Sequence, residues 1–254
     1  MTETPGRLRL GHVTVDPVTM AEAVDRIDAL IDGGQGGFVV TPNVDHVVLA
    51  EDDLAFRDAY SDASLSLADG MPVVWASRLL SVRVPEKVSG SDLAAPLLAR
   101  AAAKKRRIYL LGGGNGVAEV ARRILEQRYP GLTIVGTSAP MVRPEDPRSV
   151  WDAVADDIAK TTPDLVFVCL GAPKQELFMH ATHQRLAPAV LLGLGATLDF
   201  IAGTVDRAPL WMSRNGLEWA YRLGREPRRM WRRYLVRDPR FAVVLMREML
   251  LTSR

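Results

Sequence analysis

The sequence predicts an α/β protein: a Rossmann-like parallel sheet with helices on both faces, followed by a helical, Arg-rich C-terminal appendage. Short apolar segments alternate with longer amphipathic ones along most of the chain, the pattern of strands joined by crossover helices. The apolar segments are continuous, as expected for strands that are buried on both faces. With 254 residues, 48% of them apolar, the chain is long enough for one large domain.

The predicted elements follow one another in a regular order. A helix is expected from Asp16-Pro17 through AEAVDRIDALI to the glycines at 33–34, because these residues are typical of helix boundaries. The strand GFVVTPN then leads into one long helix, VDHVVLAEDDLAFRDAY, whose acidic residues 51–53 are expected on a solvated face. The other predicted strands are SLSLA, RIYLLGG, LTIVGT, LVFVCLG and AVLLGLGA, and the other predicted helices are MPVVWASRLL and NGVAEVARRILEQRY.

We expect two parts, a core of residues 1–205 and an appendage of residues 206–254, because strand patterns cease near residue 205. Residues 222–254 contain ten arginines and three acidic residues, whereas the preceding part has 22 basic and 27 acidic groups. Such an asymmetry indicates an anionic partner for the appendage, either a membrane or a nucleic acid.

Other bulk features favour a cytoplasmic protein. There is no secretory signal pattern and no apolar run of about 18 residues that would predict a membrane-spanning helix. The single cysteine, Cys169, lies within an apolar strand and is expected to be a small buried residue.

Polar residues and glycines gather where the predicted strands end. In open parallel sheets, ligands bind beyond the carboxyl ends of the strands, so we expect these loops to converge on one site. Their composition suits a polar, phosphate-bearing ligand. They read TPN (41–43), ADG (68–70), LGGGNG (111–116), GAPKQE (171–176) and GATLDF (195–200).

Asp69 has two interpretations at this stage. It can cap the helix that opens near Met71 and Pro72, since aspartate is a preferred N-cap residue. It can instead be a general base held at the open end of the sheet, where Gly70 gives an acceptor room.

The glycine-rich loop 111–116 also has two interpretations, a phosphate-binding loop or a tight turn. Its spacing fails the dinucleotide fingerprint, because the third glycine position is occupied by Val117. His180 and His183 lack a third ligand, so we expect packing roles for them. No D-x-D motif occurs, and we therefore expect neither a metal nor a cofactor.

Six blocks together resemble the WecG/TagA/CpsF family of bacterial glycosyltransferases, over roughly residues 10–240. They are TPNVDHVVLA, SLADGMPVVW, VSGSDL, LLGGGNG, GAPKQE and the long segment from GATLDF to RRYL. No single block is specific, but the set and its order are.

The resemblance implies an inverting transfer of a sugar, of the N-acetylmannosamine type or a related hexose, in cell-surface polysaccharide synthesis such as that of teichoic acid. The implied donor is a UDP-sugar and the implied acceptor a polyprenyl-diphosphate-linked saccharide. It also implies a peripheral position on the inner face of the cell membrane, where the appendage meets anionic lipid. The sequence leaves the oligomeric state open, and the donor sugar and the linkage are not specified by it.

The resemblance also assigns roles to residues. Asp69 takes the position of the catalytic base, Thr41 and Asn43 line the sugar site, and Gln175 is a polar active-site residue. Lys87 stands where many relatives have arginine, so a flexible ammonium would replace a rigid bidentate group there. The residues expected to bind substrate are Gly70, Lys87, Gly112, Gly113, Gly114, Asn115, Gly171, Ala172, Pro173, Lys174, Asp199 (beside the uridine), Arg222, Arg225, Arg229 and Arg232.

Two other functions compete with a glycosyltransferase. The first is a nucleotide-dependent oxidoreductase, which the failed glycine fingerprint opposes. The second is a non-catalytic module that binds nucleotide or RNA through the arginines of the appendage. Tryptophans at 211, 219 and 231 are interleaved with these arginines, as in an interfacial amphipathic helix, and we therefore expect no nucleic acid partner.

Overall fold

The computed structural model describes residues 6–252, apart from the side chains of Leu210, Arg229 and Thr252. The strands are β1 (Leu8–Leu10), β2 (Val13–Val15), β3 (Gly37–Val40), β4 (Leu65–Ser66), β5 (Arg107–Gly112), β6 (Thr133–Ser138), β7 (Leu165–Cys169) and β8 (Val190–Gly193). The helices that precede and surround the central sheet are α1 (Met20–Asp32), α2 (Val44–Asp52), α3 (Leu54–Ser61), α4 (Met71–Ser77), α5 (Gly90–Lys104), α6 (Val117–Arg128), α7 (Arg148–Ala159), α8 (Lys174–Leu186) and α9 (Thr197–Ala202).

In its described part, the C-terminal end has only helical elements, which short irregular segments join. It contains α10 (Leu210–Arg214), α11 (Glu218–Arg225), α12 (Pro227–Trp231), a π-helical turn (Arg232–Arg237), a 3₁₀ turn (Asp238–Arg240) and α13 (Phe241–Thr252). Within residues 6–252, every helix falls short of the length and apolar character that crossing a bilayer requires.

The central sheet is parallel and has the strand order β4-β3-β8-β7-β5-β6. Within this sheet, the chain forms β3 first and then the edge strand β4. It next crosses to β5 and to the other edge strand, β6, and finally forms β7 and β8 between β5 and β3. All six strands therefore end at the same edge, and the loops after β5, β7 and β8 are neighbours. The predicted Rossmann-like α/β fold with a helical C-terminal end is confirmed.

Alternate residues of each strand enter two separate cores, one on each face of the sheet. Phe38 and Val40 pack with α2, α3, α7 and α8, whereas Val39 between them packs with α1, α5 and α6. The same alternation divides Val166 from Phe167. Burial on both faces explains why the strands are continuous apolar runs.

Two predicted helices have different boundaries in the structure. The first begins after Thr19, whose hydroxyl and the Glu22 carboxylate form a capping box, and not at Asp16-Pro17. The predicted long helix at 44–60 is two helices, because Asp53 adopts an extended conformation and caps α3 by accepting a hydrogen bond from the Phe56 amide.

An antiparallel hairpin formed by β1 and β2 was not predicted. It packs on the same face as α2, and Val244 of α13 joins that core. A Cβ atom on Gly11, in the hairpin turn, would approach Val244 and Arg247 within 3.0 and 3.3 Å. The N-terminal hairpin and the last helix are therefore in direct contact.

Candidate active site

A cavity of about 430 Å³ lies between the carboxyl ends of β3 and β4 and the C-terminal helices. The core supplies one wall, which includes Asn43, Asp69 and Met71. The C-terminal segment, residues 206–252, supplies the opposite wall, which is both charged and apolar. Its lining residues include Ser213, Glu218, Trp219, Arg222, Arg233, Tyr234, Leu235 and Asp238.

Asp69 is half-buried in this cavity and does not cap a helix. Its amide donates a hydrogen bond to the Pro42 carbonyl at 2.9 Å, which ties the loop after β4 to the loop after β3. Gly70 is the N-cap of α4, without any side-chain capping bond, and its φ of 115° is one that glycine adopts readily. The capping interpretation is therefore wrong, and the carboxylate of Asp69 is available to a ligand.

Burial raises the pKa of Asp69 to about 7, and the negative charge of Glu218 adds to this increase. Lys87 and Arg222 act in the opposite direction. An ordinary aspartate is fully ionised at neutral pH. The raised pKa of Asp69 lies close to the value favoured for a general base at neutral pH.

The two polar residues that follow β3 have different surroundings. Thr41 is buried, and its hydroxyl donates a 2.9 Å hydrogen bond to the Gly193 carbonyl at the end of β8. The Oδ1 of Asn43 accepts hydrogen bonds from the His46 amide, as the cap of α2, and from Arg233. Asn43 therefore faces the cavity, and Thr41 links two strand ends.

Gln175 and Glu176 lie buried behind the strand ends. The Gln175 amide donates to the Glu176 carboxylate at 2.8 Å, and its carbonyl accepts from the Gly195 amide at 3.1 Å, which joins the loops after β7 and β8. Burial raises the pKa of Glu176 to about 7. Glu176 was not predicted as a site residue, and its place inside GAPKQE is the only sequence signal for it.

The glycine-rich loop after β5 is closely packed. A Cβ atom on Gly112 would lie 2.3 Å from the Cys169 carbonyl oxygen, so glycine is required where β5 and β7 meet. Residues 112–115 and 171–174 are absent from the lining of the two cavities described here. Cys169 is buried, as expected, and burial raises the pKa of its thiol to about 12.

A second cavity of about 370 Å³ contains Asp199. The Thr204 hydroxyl donates to the Asp199 carboxylate at 3.3 Å, and Arg225 pairs with Asp206 at 2.8 Å. Arg222 lines both cavities, and its guanidinium lies 5.7 Å from the centre of the Phe200 ring. The site is therefore two adjoining cavities that share one cation.

Lys87 connects the core to the C-terminal segment. Its ammonium donates to the Ser213 hydroxyl at 2.9 Å and pairs with Asp92 at 2.9 Å. Hydrogen bonds from Ser89, Arg207 and Lys87 outweigh burial and lower the pKa of Asp92 to about 2.

The arginines of the appendage that can be compared have different surroundings. Arg222 is in the cavity, Arg232 is exposed, and Arg233 is turned towards Asp45. The side chain of Arg229 lies outside the described part.

Acidic residues of α2 bind several of the other arginines. Asp45 pairs with Arg233 and Arg237, at 3.3 and 2.9 Å, and Asp52 pairs with Arg240 at 2.6 Å. Glu51 pairs with Arg247 at 2.8 Å. The acidic stretch 51–53 therefore forms ion pairs and a helix cap in addition to its predicted exposure, which Asp52 keeps.

The cavity-lining residues that were not predicted from the sequence come mostly from the C-terminal segment. Glu218, Tyr234 and Asp238 line the first cavity, and burial raises the pKa of Asp238 to about 6. Asp45 follows the TPN block directly, which was an available signal. For Glu218 and Asp238 the local sequence holds no signal, because only the fold brings them to Asp69.

A titratable carboxylate at the end of a strand, flanked by cations and by an apolar wall, suits proton abstraction from a hydroxyl beside an anionic leaving group. The family model for "Glycosyl transferase WecG/TagA/CpsF family" matches residues 8–254. The chain belongs to the WecG/TagA/CpsF family of glycosyltransferases.

Several curated relatives of the chain share the name N-acetylglucosaminyldiphosphoundecaprenol N-acetyl-beta-D-mannosaminyltransferase. One from Bacillus spizizenii is 39% identical over 81% of this chain and 77% of its own. One from Bacillus subtilis is 37% identical over 86% and 82%. One from Staphylococcus aureus is 31% identical over 83% and 81%. The predicted family and the predicted transferase class are confirmed, in preference to an oxidoreductase.

Proposed function

We propose that the protein transfers an N-acetylmannosamine-type sugar from a UDP-sugar to a polyprenyl-diphosphate-linked N-acetylglucosamine, with inversion at the anomeric carbon. The acceptor is proposed from the names of the relatives. The donor nucleotide is proposed from the family resemblance and from Arg222 and Arg225, which line the second cavity together with Asp199, Asp206 and Glu226. The observation that carries the proposal is Asp69, a carboxylate at a strand end that lines a cavity with an apolar wall and whose pKa is raised by burial.

In the proposed reaction, Asp69 accepts the proton of an acceptor hydroxyl. The hydroxyl oxygen forms a bond to the anomeric carbon of the donor, from the face opposite the nucleotide. The bond between the anomeric carbon and the β-phosphate oxygen breaks, and UDP leaves with the electron pair. Arg222, between the two cavities, offsets the charge that develops on the leaving diphosphate.

The two substrates are assigned to different cavities. The acceptor occupies the Asp69 cavity, where Trp219, Leu235 and Met71 can contact its lipid-proximal part. The nucleotide occupies the second cavity, with Asp199 accepting a hydrogen bond from the uracil or the ribose. Residues 112–115 and 171–174 follow the neighbouring strands β5 and β7 but line neither cavity, so their contact with the donor stays a prediction.

We also propose that the C-terminal segment rests on the cytoplasmic face of the membrane. It exposes Trp211, Trp219 and Trp231 by 60%, 43% and 44%, together with the apolar side chains of α13. Such surfaces bind the interface between headgroups and acyl chains.

The test is release of UDP from a panel of UDP-sugars, with a short-chain lipid diphosphate carrying N-acetylglucosamine as acceptor. We expect turnover with UDP-N-acetylmannosamine, a β-linked disaccharide product by NMR, and full activity in EDTA. UDP release that does not require the acceptor would contradict the proposed reaction. A product with retained configuration at the anomeric carbon would contradict it as well. Loss of activity in EDTA that Mg²⁺ restores would contradict its metal independence.

A further inference from the structure

The Asp69 cavity contains a second carboxylate, which the C-terminal segment supplies. Glu218 is the first residue of α11, is half-buried and lines the same cavity as Asp69. Its Oε1 accepts a 2.7 Å hydrogen bond from Arg222, one helical turn later, and its Oε2 accepts a 3.4 Å bond from the Ser213 hydroxyl. These contacts fix the position of the carboxylate.

A chain of polar contacts connects Glu218 to the core. Ser213 is buried and also accepts a hydrogen bond from Lys87, which in turn pairs with Asp92 of α5. Lys87 and Arg222 are the two cations that favour the ionised form of Asp69. Glu218 is therefore hydrogen-bonded to one of these cations and linked through Ser213 to the other.

Charged and titratable groups surround Asp69 on several elements. Lys87 lies in the segment between α4 and α5, Asp92 on α5, and Glu218 and Arg222 on α11. Burial raises the pKa of the Tyr60 phenol on α3, and the negative charge of Asp69 contributes to this increase, so the phenol is neutral. The remaining titratable or charged groups of the cavity are Asp45, Arg233, Tyr234 and Asp238.

We propose that Glu218 is a positioning residue of the transfer reaction: its carboxylate holds Arg222 between the two cavities and strengthens Asp69 as the proton acceptor. This inference rests on the proposed function. Glu218 itself touches neither the hydroxyl nor the leaving group, and it acts through Asp69 and Arg222.

The effect of Glu218 on Asp69 has a definite sign. A nearby negative charge disfavours ionisation of a carboxyl group and so raises its pKa, and after burial Glu218 is the largest contribution in that direction. Without the negative charge of Glu218, the pKa-lowering effect of Lys87 and Arg222 is less compensated, and the pKa of Asp69 falls. The base is then ionised at lower pH and is weaker.

The decisive variant is Glu218→Gln, because a glutamine carbonyl can still accept the Arg222 hydrogen bond while the charge is removed. We expect the acid limb of the pH profile of kcat/KM to move down by roughly one unit. The ratio of kcat/KM at pH 6 to that at pH 8.5 then rises roughly fivefold, as follows from a midpoint moving from 7 to 6. The matched control is Glu126→Gln, which removes the carboxylate of an exposed Arg122–Glu126 pair with the same four-residue spacing.

A readout independent of turnover separates this inference from the proposed function. The carboxyl carbon of Asp69, labelled with ¹³C-aspartate and assigned by comparison with Asp69→Asn, reports its titration in both proteins. A lower midpoint in Glu218→Gln supports the inference even if the substrate assignment fails. An unchanged midpoint, or a uniform loss of rate without displacement of the acid limb, overturns it.

Discussion

Asp69 has its chemical character because of where the chain places it, not because of its immediate neighbours. Burial raises its pKa to about 7, well above that of an ordinary aspartate. The identity of the residue and its place at a strand end were predictable from the ADG block. Its protonation equilibrium was not, because it depends on Glu218, Lys87 and Arg222, which come from distant parts of the chain.

We predict that Asp69→Asn lowers kcat by about 10²–10⁴-fold, the usual cost of losing a general base, and leaves UDP affinity nearly unchanged. Rate should be measured by UDP release and affinity by calorimetry. In the wild type, a raised folded-state pKa means that kcat/KM declines as pH falls through about 7. A variant within a few-fold of the wild type would remove Asp69 from the role of base.

Asp199 is the residue that tests the nucleotide assignment. Loss of one hydrogen bond from a neutral donor to a charged acceptor costs about 1.5–3 kcal/mol, so we predict that Asp199→Ala weakens UDP binding at least tenfold. Asp152→Ala, which removes an exposed ion pair with Arg148 on α7, is the control. Equal UDP affinity in both variants would place the nucleotide elsewhere.

At the scale of elements, the strands were predictable and the contacts between distant segments were not. Continuous apolar runs identified β3 and β5–β8 because a strand buried on both faces needs apolar residues throughout. The hairpin of β1 and β2 was missed, since its strands are only three residues long. The break at Asp53 was missed because the helical pattern continues across it.

The ion pairs between α2 and the C-terminal segment were not predictable from the sequence. Asp45 is 5% exposed and binds both Arg233 and Arg237. The same arginine, Arg233, also donates to Asn43 in the cavity. The charge asymmetry of the sequence therefore indicates, in part, an internal interface and not only an external partner.

We predict that Asp45→Ala destabilises the docking of the C-terminal segment, because it leaves two arginines without their buried anion. The cost should be about 2 kcal/mol, visible as a lower Tm and as faster tryptic cleavage within residues 226–240. Asp52→Ala is the control, since its pair with Arg240 is exposed and screened by solvent. Equal protease sensitivity in the two variants would show that Asp45 does not anchor the segment.

At the scale of the whole molecule, the C-terminal segment has two faces with different tasks. One face closes the Asp69 cavity and packs on the core through α13. The other exposes tryptophans and further apolar residues, with Arg228 and Arg232 also exposed. The amphipathic composition was predictable from the sequence. Which arginines form ion pairs with acidic residues of the core could be known only from the fold.

We predict that a chain ending at residue 205 neither sediments with anionic vesicles nor transfers sugar to the lipid-linked acceptor. Because removal of the segment also uncovers apolar core surface, the full-length variant Arg228→Glu provides the sharper test. Each basic residue near an anionic surface contributes about 1 kcal/mol, so this reversal should weaken vesicle binding several-fold. The control is Arg123→Glu, the same charge change on α6, which should leave vesicle binding unchanged. Equal vesicle binding by the two variants would contradict the proposed membrane orientation.

Arg222 belongs to both cavities, so the two substrates compete for or cooperate through one guanidinium. An anion that draws Arg222 towards the second cavity weakens its pairing with Glu218 in the first. By thermodynamic linkage, the factor by which the nucleotide changes the affinity for the acceptor equals the factor by which the acceptor changes the affinity for the nucleotide. A single side chain thereby couples the affinities of the two proposed substrates by the same factor, whichever of them binds first.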